Sequence, residues 1–243
     1  MKFTVEWHDR SASTNASLKE RFLAEKSVRN GTLIAAREQT AGRGRSDRRW
    51  ITTPDTNLCF SFFVETDAEP MSVPSLTMAA ALAVTELLNA LRIPAAPKWP
   101  NDVLVDDRKI CGILSERVER QTAPTKGIIV GIGLNVNMTT EEASAIDRPA
   151  TSILIESGRA HDPGGTLDQL LPLLDYWIEE WRAGGFDRIR EPWTRRAGPI
   201  GKPLCVHDGP VRKSGTLAGF GDHGELLLQT ENGIETIWTG DVL

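Results

Sequence analysis

The chain has 243 residues, 40% hydrophobic and 25% charged, with a formal net charge of -5. That length suits one large domain plus a small one, and the acidic balance argues against a general affinity for duplex nucleic acid, which shows as a basic domain. Three scattered cysteines, Cys59, Cys111 and Cys205, give no zinc spacing and suit reduced thiols. The stretch from Met1 to Glu6 lacks the apolar core of a signal peptide, and no run reads as long enough to span a membrane. The expectation is a cytoplasmic protein with no membrane partner.

Short apolar runs alternate with helical patterns through roughly residue 195, the pattern of an α/β or α+β domain. Ser13 to Glu25 reads as a first helix, with Ser13, Thr14 or Asn15 as N-cap. Gly31 to Arg37 and Asn57 to Glu65 read as strands. Between them lies Gly42-Arg43-Gly44-Arg45-Ser46-Asp47-Arg48-Arg49-Trp50, four arginines in nine residues of an acidic chain. Its glycines discourage regular structure, and its charge calls for an anion, phosphate first. From Ser72 to Leu91, apolar residues at helical spacing run from Leu76 through Ala79, Ala80, Ala83 and Leu87 to Leu91, and Pro94 stops the helix.

Lys98-Trp99-Pro100-Asn101-Asp102 leads into a predicted hairpin, Asp102 to Val105 and Lys109 to Glu116, turning at Asp106-Asp107-Arg108. Asp102 offers a carboxylate that could hold Mg²⁺. Lys109 and Gly112 fall on opposite faces under strict alternation, so they serve one ligand only through a bulge or through the Gly112 backbone. Along Lys126 to Asn137, Ile128, Val130, Ile132, Leu134 and Val136 share one face, and Gly131, Gly133, Asn135 and Asn137 share the other. A sheet face without side chains leaves room for a flat ligand. Val136 occupies the third glycine position of G-x-G-x-x-G, so this is no dinucleotide fingerprint. A helix over Thr166 to Arg182 contains Pro172, which should kink or shorten it, and Gly184-Gly185 ends it. After a linker at Gly198-Pro199-Ile200-Gly201, the remainder reads as four or five short strands turning at Asp208-Gly209, His223-Gly224 and Asn232-Gly233. The expected division is residues 1–197 and 198–243.

No P-loop is present, and no serine, cysteine or histidine sits in a recognisable nucleophile context. The available groups are cations and amides, which suit phosphate chemistry driven by positioning and charge neutralisation.

In order, Ser13-Thr14-Asn15, Gly42-Arg43-Gly44-Arg45, Lys98-Trp99-Pro100-Asn101-Asp102, Lys109-Ile110-Cys111-Gly112-Ile113-Leu114 and Gly131-Ile132-Gly133-Leu134-Asn135-Val136-Asn137 resemble the biotin protein ligases. The C-terminal β unit is similar to that family's SH3-like domain. The resemblance implies an α+β fold, a mixed sheet with flanking helices akin to class II aminoacyl-tRNA synthetases. It implies two steps: biotin's carboxylate attacks the α-phosphorus of ATP with Mg²⁺, giving biotinyl-5′-AMP, and a lysine of a biotin carboxyl carrier protein domain then takes the biotin.

By the family's pattern Ser13, Thr14, Asn15, Gln39, the segment Gly42-Arg43-Gly44-Arg45 and Lys109 contact biotin or its acyl phosphate. Gly112, Gly131 and Gly133 floor the pocket, and Arg45, Arg48, Trp50, Lys98, Asn101 and Asn135 meet ATP. Arg43, Arg45 and Lys109 are the expected catalytic cations, with Asp102 the best candidate for a base. The metal ligands stay unassigned. Family members are monomers or homodimers, and an edge strand of the sheet could support either. Asp47 stands where the family loop commonly has glycine. It could pair with Arg45 or Arg48 and weaken retention of the adenylate. Only twelve residues precede Ser13, so a form without the repressor ligases' DNA-binding domain, and no operator binding, is expected. Two alternatives stay open: a lipoate- or octanoate-handling relative, and a non-catalytic binder of nucleotides or polyanions.

Overall fold

The chain opens as a strand–helix–strand unit, β1 (Thr4–Ser11), α1 (Thr14–Leu23) and β2 (Thr32–Gln39), followed by a two-stranded hairpin, β3 (Gly42–Arg43) with β4 (Arg49–Trp50), then β5 (Leu58–Glu65) and α2 (Val73–Ala90). Next come β6 (Ala96–Lys98), β7 (Asp102–Val105), β8 (Arg108–Glu119), β9 (Lys126–Leu134), α3 (Thr140–Ser144), α4 (Ile153–Ser157), α5 (Pro163–Gly184) and α6 (Phe186–Ala197). Five strands complete it: β10 (Pro203–Asp208), β11 (Val211–Phe220), β12 (Leu226–Thr230), β13 (Gly233–Ile237) and β14 (Asp241–Val242). The computed structural model describes residues 1–24, 27–45, 48–50, 52–120, 125–208 and 211–242. Asp47 and Gly209, on which expectations above rest, lie outside them, as does the predicted helix end at Glu25.

Seven strands form one mixed sheet in the order β1-β2-β5-β9-β8-β7-β6. β1 and β2 run parallel because α1 carries the chain back between them, and the other neighbours are antiparallel. One face of the sheet packs on α2, with α5 and α6 behind it. Sandwiched this way, α2 buries Met78, Ala81 and Leu82 as well as the predicted stripe. The apolar helical stretch Pro70–Ala90, 21 residues with mean hydropathy 1.5, meets the length and composition of a membrane span. This corrects the expectation that no run is long enough. What sets the stretch apart is its place inside the core.

The opposite face divides in two. α1 covers one part through Leu18 and Phe22 on Ile34, Phe63, Val118 and Ile129, a separate apolar cluster. The other part is left for the site.

α5 runs through Pro172 and begins at Pro163, where Asp162 caps the helix by accepting from Gly165 N at 2.7 Å. It is longer than predicted, because Leu170, Leu174, Trp177 and Ile178 on both sides of the proline are anchored in the core. Gly185, at φ 61°, ends it, and α6 starts at once. The C-terminal strands form an antiparallel sheet, β13-β12-β11-β10-β14. Its apolar side continues the main core, with Trp193 and Phe186 edge-on to Phe220 and the Trp99 indole N–H donating to Gly224 O at 3.0 Å.

Candidate active site

A single row of paired residues crosses all seven strands: His8, Ala36, Cys59, Gly133, Gly112, Asp102 and Lys98. Paired residues share a face, so the middle of the row is a shallow trough of small residues with charge at its β6–β7 end. A Cβ on Gly133 would sit 2.3 Å from Trp50 Cε2, and one on Gly112 would sit 3.1 Å from Trp50 Cζ3. Side-chain-free backbone on two neighbouring strands therefore lets the Trp50 indole lie on the sheet. Cys59 lies under it, its thiol pushed up to about 12 by burial.

Lys109 reaches this row through a bulge. The β7–β8 register passes from Val103 opposite Cys111 to Leu104 opposite Lys109, so Ile110 is the extra residue. Ile110 and Cys111 both enter the core, and Lys109 emerges on the side of Gly112. Its Nζ lies 2.6 Å from Asp102 Oδ1, 2.9 Å from where a Gly112 Cβ would be, and 5.7 Å from the Trp50 ring centroid. The ammonium is thus held between a carboxylate and an aromatic face.

One row further along the sheet, Ser61 pairs with Gly131 and Gly131 with Leu114. Here the missing side chain makes room for Asn15, whose Oδ1 lies 1.9 Å from an ideal Gly131 Cβ. Ser13 caps α1 by accepting from Ala16 N, which aims the start of the helix at the trough. Asn15 Nδ2 donates to Glu116 Oε2 at 2.9 Å and to Leu114 O at 3.1 Å, and the Thr14 N–H donates to Gln39 Oε1 at 2.8 Å. Gly131 therefore receives Asn15 rather than open space, whereas Gly133 and Gly112 receive Trp50.

The described ends of the arginine segment pair as a short hairpin, Gly42 with Trp50 and Arg43 with Arg49. Gly42 is needed there, since a Cβ would meet Trp50 O at 2.6 Å, and the Gly44 N–H closes the turn on Arg48 O at 2.7 Å. Arg43 Nη2 lies 4.0 Å from Glu116 Oε2. Arg45 donates to Asn101 Oδ1 at 3.1 Å, to Thr239 Oγ1 at 2.9 Å and to Gly240 O at 3.4 Å. Arg48 forks onto both carboxylate oxygens of Asp241, and Arg148 stands 4.0 Å away from the same carboxylate. Burial pulls the Arg45 guanidinium below its ordinary value, and the hydrogen bond from Arg48 holds Asp241 below the usual carboxylate range. Arg45, Arg48 and Arg148 thus gather around the Asp241 carboxylate at the mouth of the trough.

The structure brings together Ser13, Thr14, Asn15, Gln39, Gly42, Arg43, Lys109, Asp102, Gly112, Gly131, Gly133 and Trp50. Arg45, Arg48 and Asn101 form the rim, and Lys98 borders it opposite Asp102. Asn135 commits its amide nitrogen to Thr151 O at 3.0 Å and Lys109 O at 3.4 Å, and Asn137 clamps the main chain of His161. Asn135 thus braces the backbone behind Lys109. Sequence reasoning missed Ser61, Glu116, Arg148 and Asp241. It also missed an open cleft of about 410 Å³ lined by Arg108, Thr140, Ile146, Arg148, Ala150 and Ile155. That cleft adjoins Lys109, which bridges to Ala150. Among the described residues no cluster of three or more metal-ligating side chains occurs.

The sequence profile of the Biotin/lipoate A/B protein ligase family matches residues 7–135. A biotin--[acetyl-CoA-carboxylase] ligase of Paracoccus denitrificans is 33% identical, the match covering 96% of this chain and 97% of that protein. The bifunctional ligase/repressor BirA of Bacillus spizizenii is 32% identical, with 97% of this chain and 72% of that protein covered. A biotin protein ligase from Aquifex aeolicus, solved in complex with biotin and ATP, superposes with a TM-score of 0.82 at 28% identity, over 98% of this chain and 97% of that one. The chain is a member of the biotin/lipoate A/B protein ligase family, among its biotin ligases.

Proposed function

We propose that the trough binds biotin, that the adjoining cleft and arginine rim bind ATP, and that the chain activates biotin as biotinyl-5′-AMP before passing it to a lysine of a biotin carboxyl carrier protein domain. One observation carries the reading. The bulge at Ile110 sets Lys109 on the same side-chain-free face as Gly112 and Gly133, beneath Trp50. A plain binding surface has no need of a cation fixed at the floor of a flat, small-residue trough.

In the first step a biotin carboxylate oxygen bonds to the α-phosphorus and pyrophosphate leaves. Two anions must approach, and fixed cations offset their repulsion. Lys109 supplies one from the sheet. Arg43 and Arg45 supply others from the hairpin, Arg45 by exchanging its Thr239 and Gly240 contacts for phosphate. In the second step the carrier lysine's amine bonds to the acyl carbon, AMP leaves, and a proton is lost from nitrogen. Asp102, beside Lys109, is the nearest carboxylate to take it. Mg²⁺ would enter with the ATP phosphates, because among the described residues the site offers engaged carboxylates, Asp102, Glu116 and Asp241, rather than a ligand cage. Closure of the hairpin over the product shields a water-sensitive anhydride.

Biotin-dependent ATP–pyrophosphate exchange tests the reading, with lipoate and octanoate as comparators and transfer to a carrier domain as the second assay. Exchange driven by lipoate or octanoate in preference to biotin overturns the substrate, and no exchange with any acid overturns the enzyme.

A further inference from the structure

Polar side chains beside the trough form one continuous chain from Glu116 through Asn15, Ser61 and Thr14 to Gln39. Its proton order can be worked out from one end. Glu116 receives Asn15 Nδ2 at 2.9 Å and Lys19 Nζ at 3.3 Å, with Arg43 4.0 Å away. Burial pushes its carboxyl up, but the Asn15 hydrogen bond and the two cations outweigh that and hold it below the ordinary range. Glu116 is therefore an acceptor only. Leu114 O, 3.1 Å from the same Asn15 nitrogen, is another acceptor. The Asn15 amide can then face only one way, with Oδ1 toward Ser61.

Ser61, fully buried, has one proton and two close oxygens, Asn15 Oδ1 at 2.6 Å and Thr14 Oγ1 at 2.7 Å. An amide oxygen brings no proton, so Ser61 donates to Asn15. Two hydroxyl oxygens 2.7 Å apart need a proton between them, and the Thr14 hydroxyl supplies it. With that proton directed to Ser61, the Thr14 Oγ1 lone pairs face Gln39 Oε1 at 3.2 Å on one side and a ligand on the other. Gln39 Oε1 takes the Thr14 N–H at 2.8 Å, so Gln39 Nε2 is the group left over, and it stands 3.2 Å from an ideal Gly42 Cβ.

We infer that Glu116 and Ser61 are positioning residues that set the hydrogen-bond polarity of the trough, so that Thr14 accepts an N–H and Gln39 donates to a C=O. That polarity selects a cyclic urea over a ring in which oxygen replaces one N–H. With such a ring two sets of lone pairs face each other, and discrimination of roughly 100-fold or more follows. The inference rests on the biotin reading above.

The test is pyrophosphate exchange with biotin and with its carbamate analogue, in which oxygen replaces one ring N–H. Ser61→Ala frees the Thr14 hydroxyl to rotate, and the biotin-to-carbamate ratio of kcat/KM is expected to fall at least tenfold, mainly through KM for biotin. Glu116→Gln turns its carbonyl to Lys19 and its amide nitrogen to Asn15, which unsets the same chain and lowers the ratio several-fold. Simple structural damage lowers kcat/KM for both substrates together. A wild-type ratio in Ser61→Ala, or in Glu116→Gln if the serine variant does not fold, sinks the inference. Absence of biotin-dependent exchange in the wild type sinks the biotin reading instead.

Discussion

The two faces of the seven-stranded sheet are built by opposite rules. Toward α2, the strands present large apolar side chains such as Phe60, Phe62, Ile132 and Leu134, all buried in one core. Away from it, beyond the cluster under α1, the same strands present Cys59, Gly133, Gly112 and Ser61. The first face fills its space with methyl groups and rings. The second does so by lowering a hairpin residue, Trp50, and a helix residue, Asn15, onto bare backbone. A packed face serves stability, whereas a face covered by parts of other elements can be opened. The site lies where the cover is attached from elsewhere.

That contrast can be broken most directly at Lys109. Lys109→Ala removes the fixed cation from the covered face and should lower biotin-dependent pyrophosphate exchange by about 10³-fold, by analogy with loss of one preorganised donor. Thermal unfolding should stay near the wild-type midpoint. Wild-type exchange in that variant ends the catalytic assignment.

Gly133→Val comes next. It displaces Trp50, and a misplaced cover should cost about 100-fold in kcat/KM. Far-ultraviolet circular dichroism should show the fold intact. An active valine variant means that the bare backbone is not needed.

On the packed face the pattern reverses. Phe62→Ala should cost about 3–5 kcal/mol of folding stability, read from denaturant midpoints. The kcat/KM of the molecules that remain folded should be unchanged.

The smallest effect concerns the rim. Asp241 is held below the usual carboxylate range by Arg48. A depressed carboxyl contributes its stabilisation above its unfolded value of about 3.9 and loses it as pH falls through the lower folded value. Hydrogen exchange of residues 42–45, corrected for intrinsic rate, should therefore stay slow from neutral pH down to about 4 and rise below it. Asp241→Asn should exchange several-fold faster at pH 7 and lose that acid step. Identical profiles would show that Asp241 does not hold the hairpin.

The packed face was legible in sequence because it obeys simple periods. The helical stripe from Leu76 to Leu91 and the alternation from Ile128 to Val136 each announce their element and its buried side. β1 was not legible, since its Thr4–Ser11 run is mostly exposed and polar and pairs on one side only. α6 was hidden by Pro192 and its arginines, although Phe186, Ile189 and Trp193 bury one face.

The covered face was legible in its motifs but not in their joints. The need for a bulge between Lys109 and Gly112 could be stated from spacing, but its position at Ile110 could not. Ser61 and Glu116 look like ordinary strand residues until Asn15, which is 46 and 101 positions away, lies between them. Asp241 has no signal at all without its arginines, because an ion pair leaves no local pattern in a chain.

The contacts of the arginine hairpin also set a schedule. Arg45 finds Gly240 at a separation of 195 residues, and Arg48 finds Asp241 at 193. At a synthesis rate of about 5–20 residues per second, the hairpin leaves the ribosome roughly 10–40 s before these partners exist. During that interval the sheet can form and α1 can settle on it, with Arg45 able to reach Asn101 but not Thr239 or Gly240, and Arg48 still without Asp241. A nascent chain interrupted before Thr239 would carry nearly the whole trough and still lack the anchor for its rim. Completion of the rim thus waits on synthesis through β14, the last strand of the C-terminal sheet.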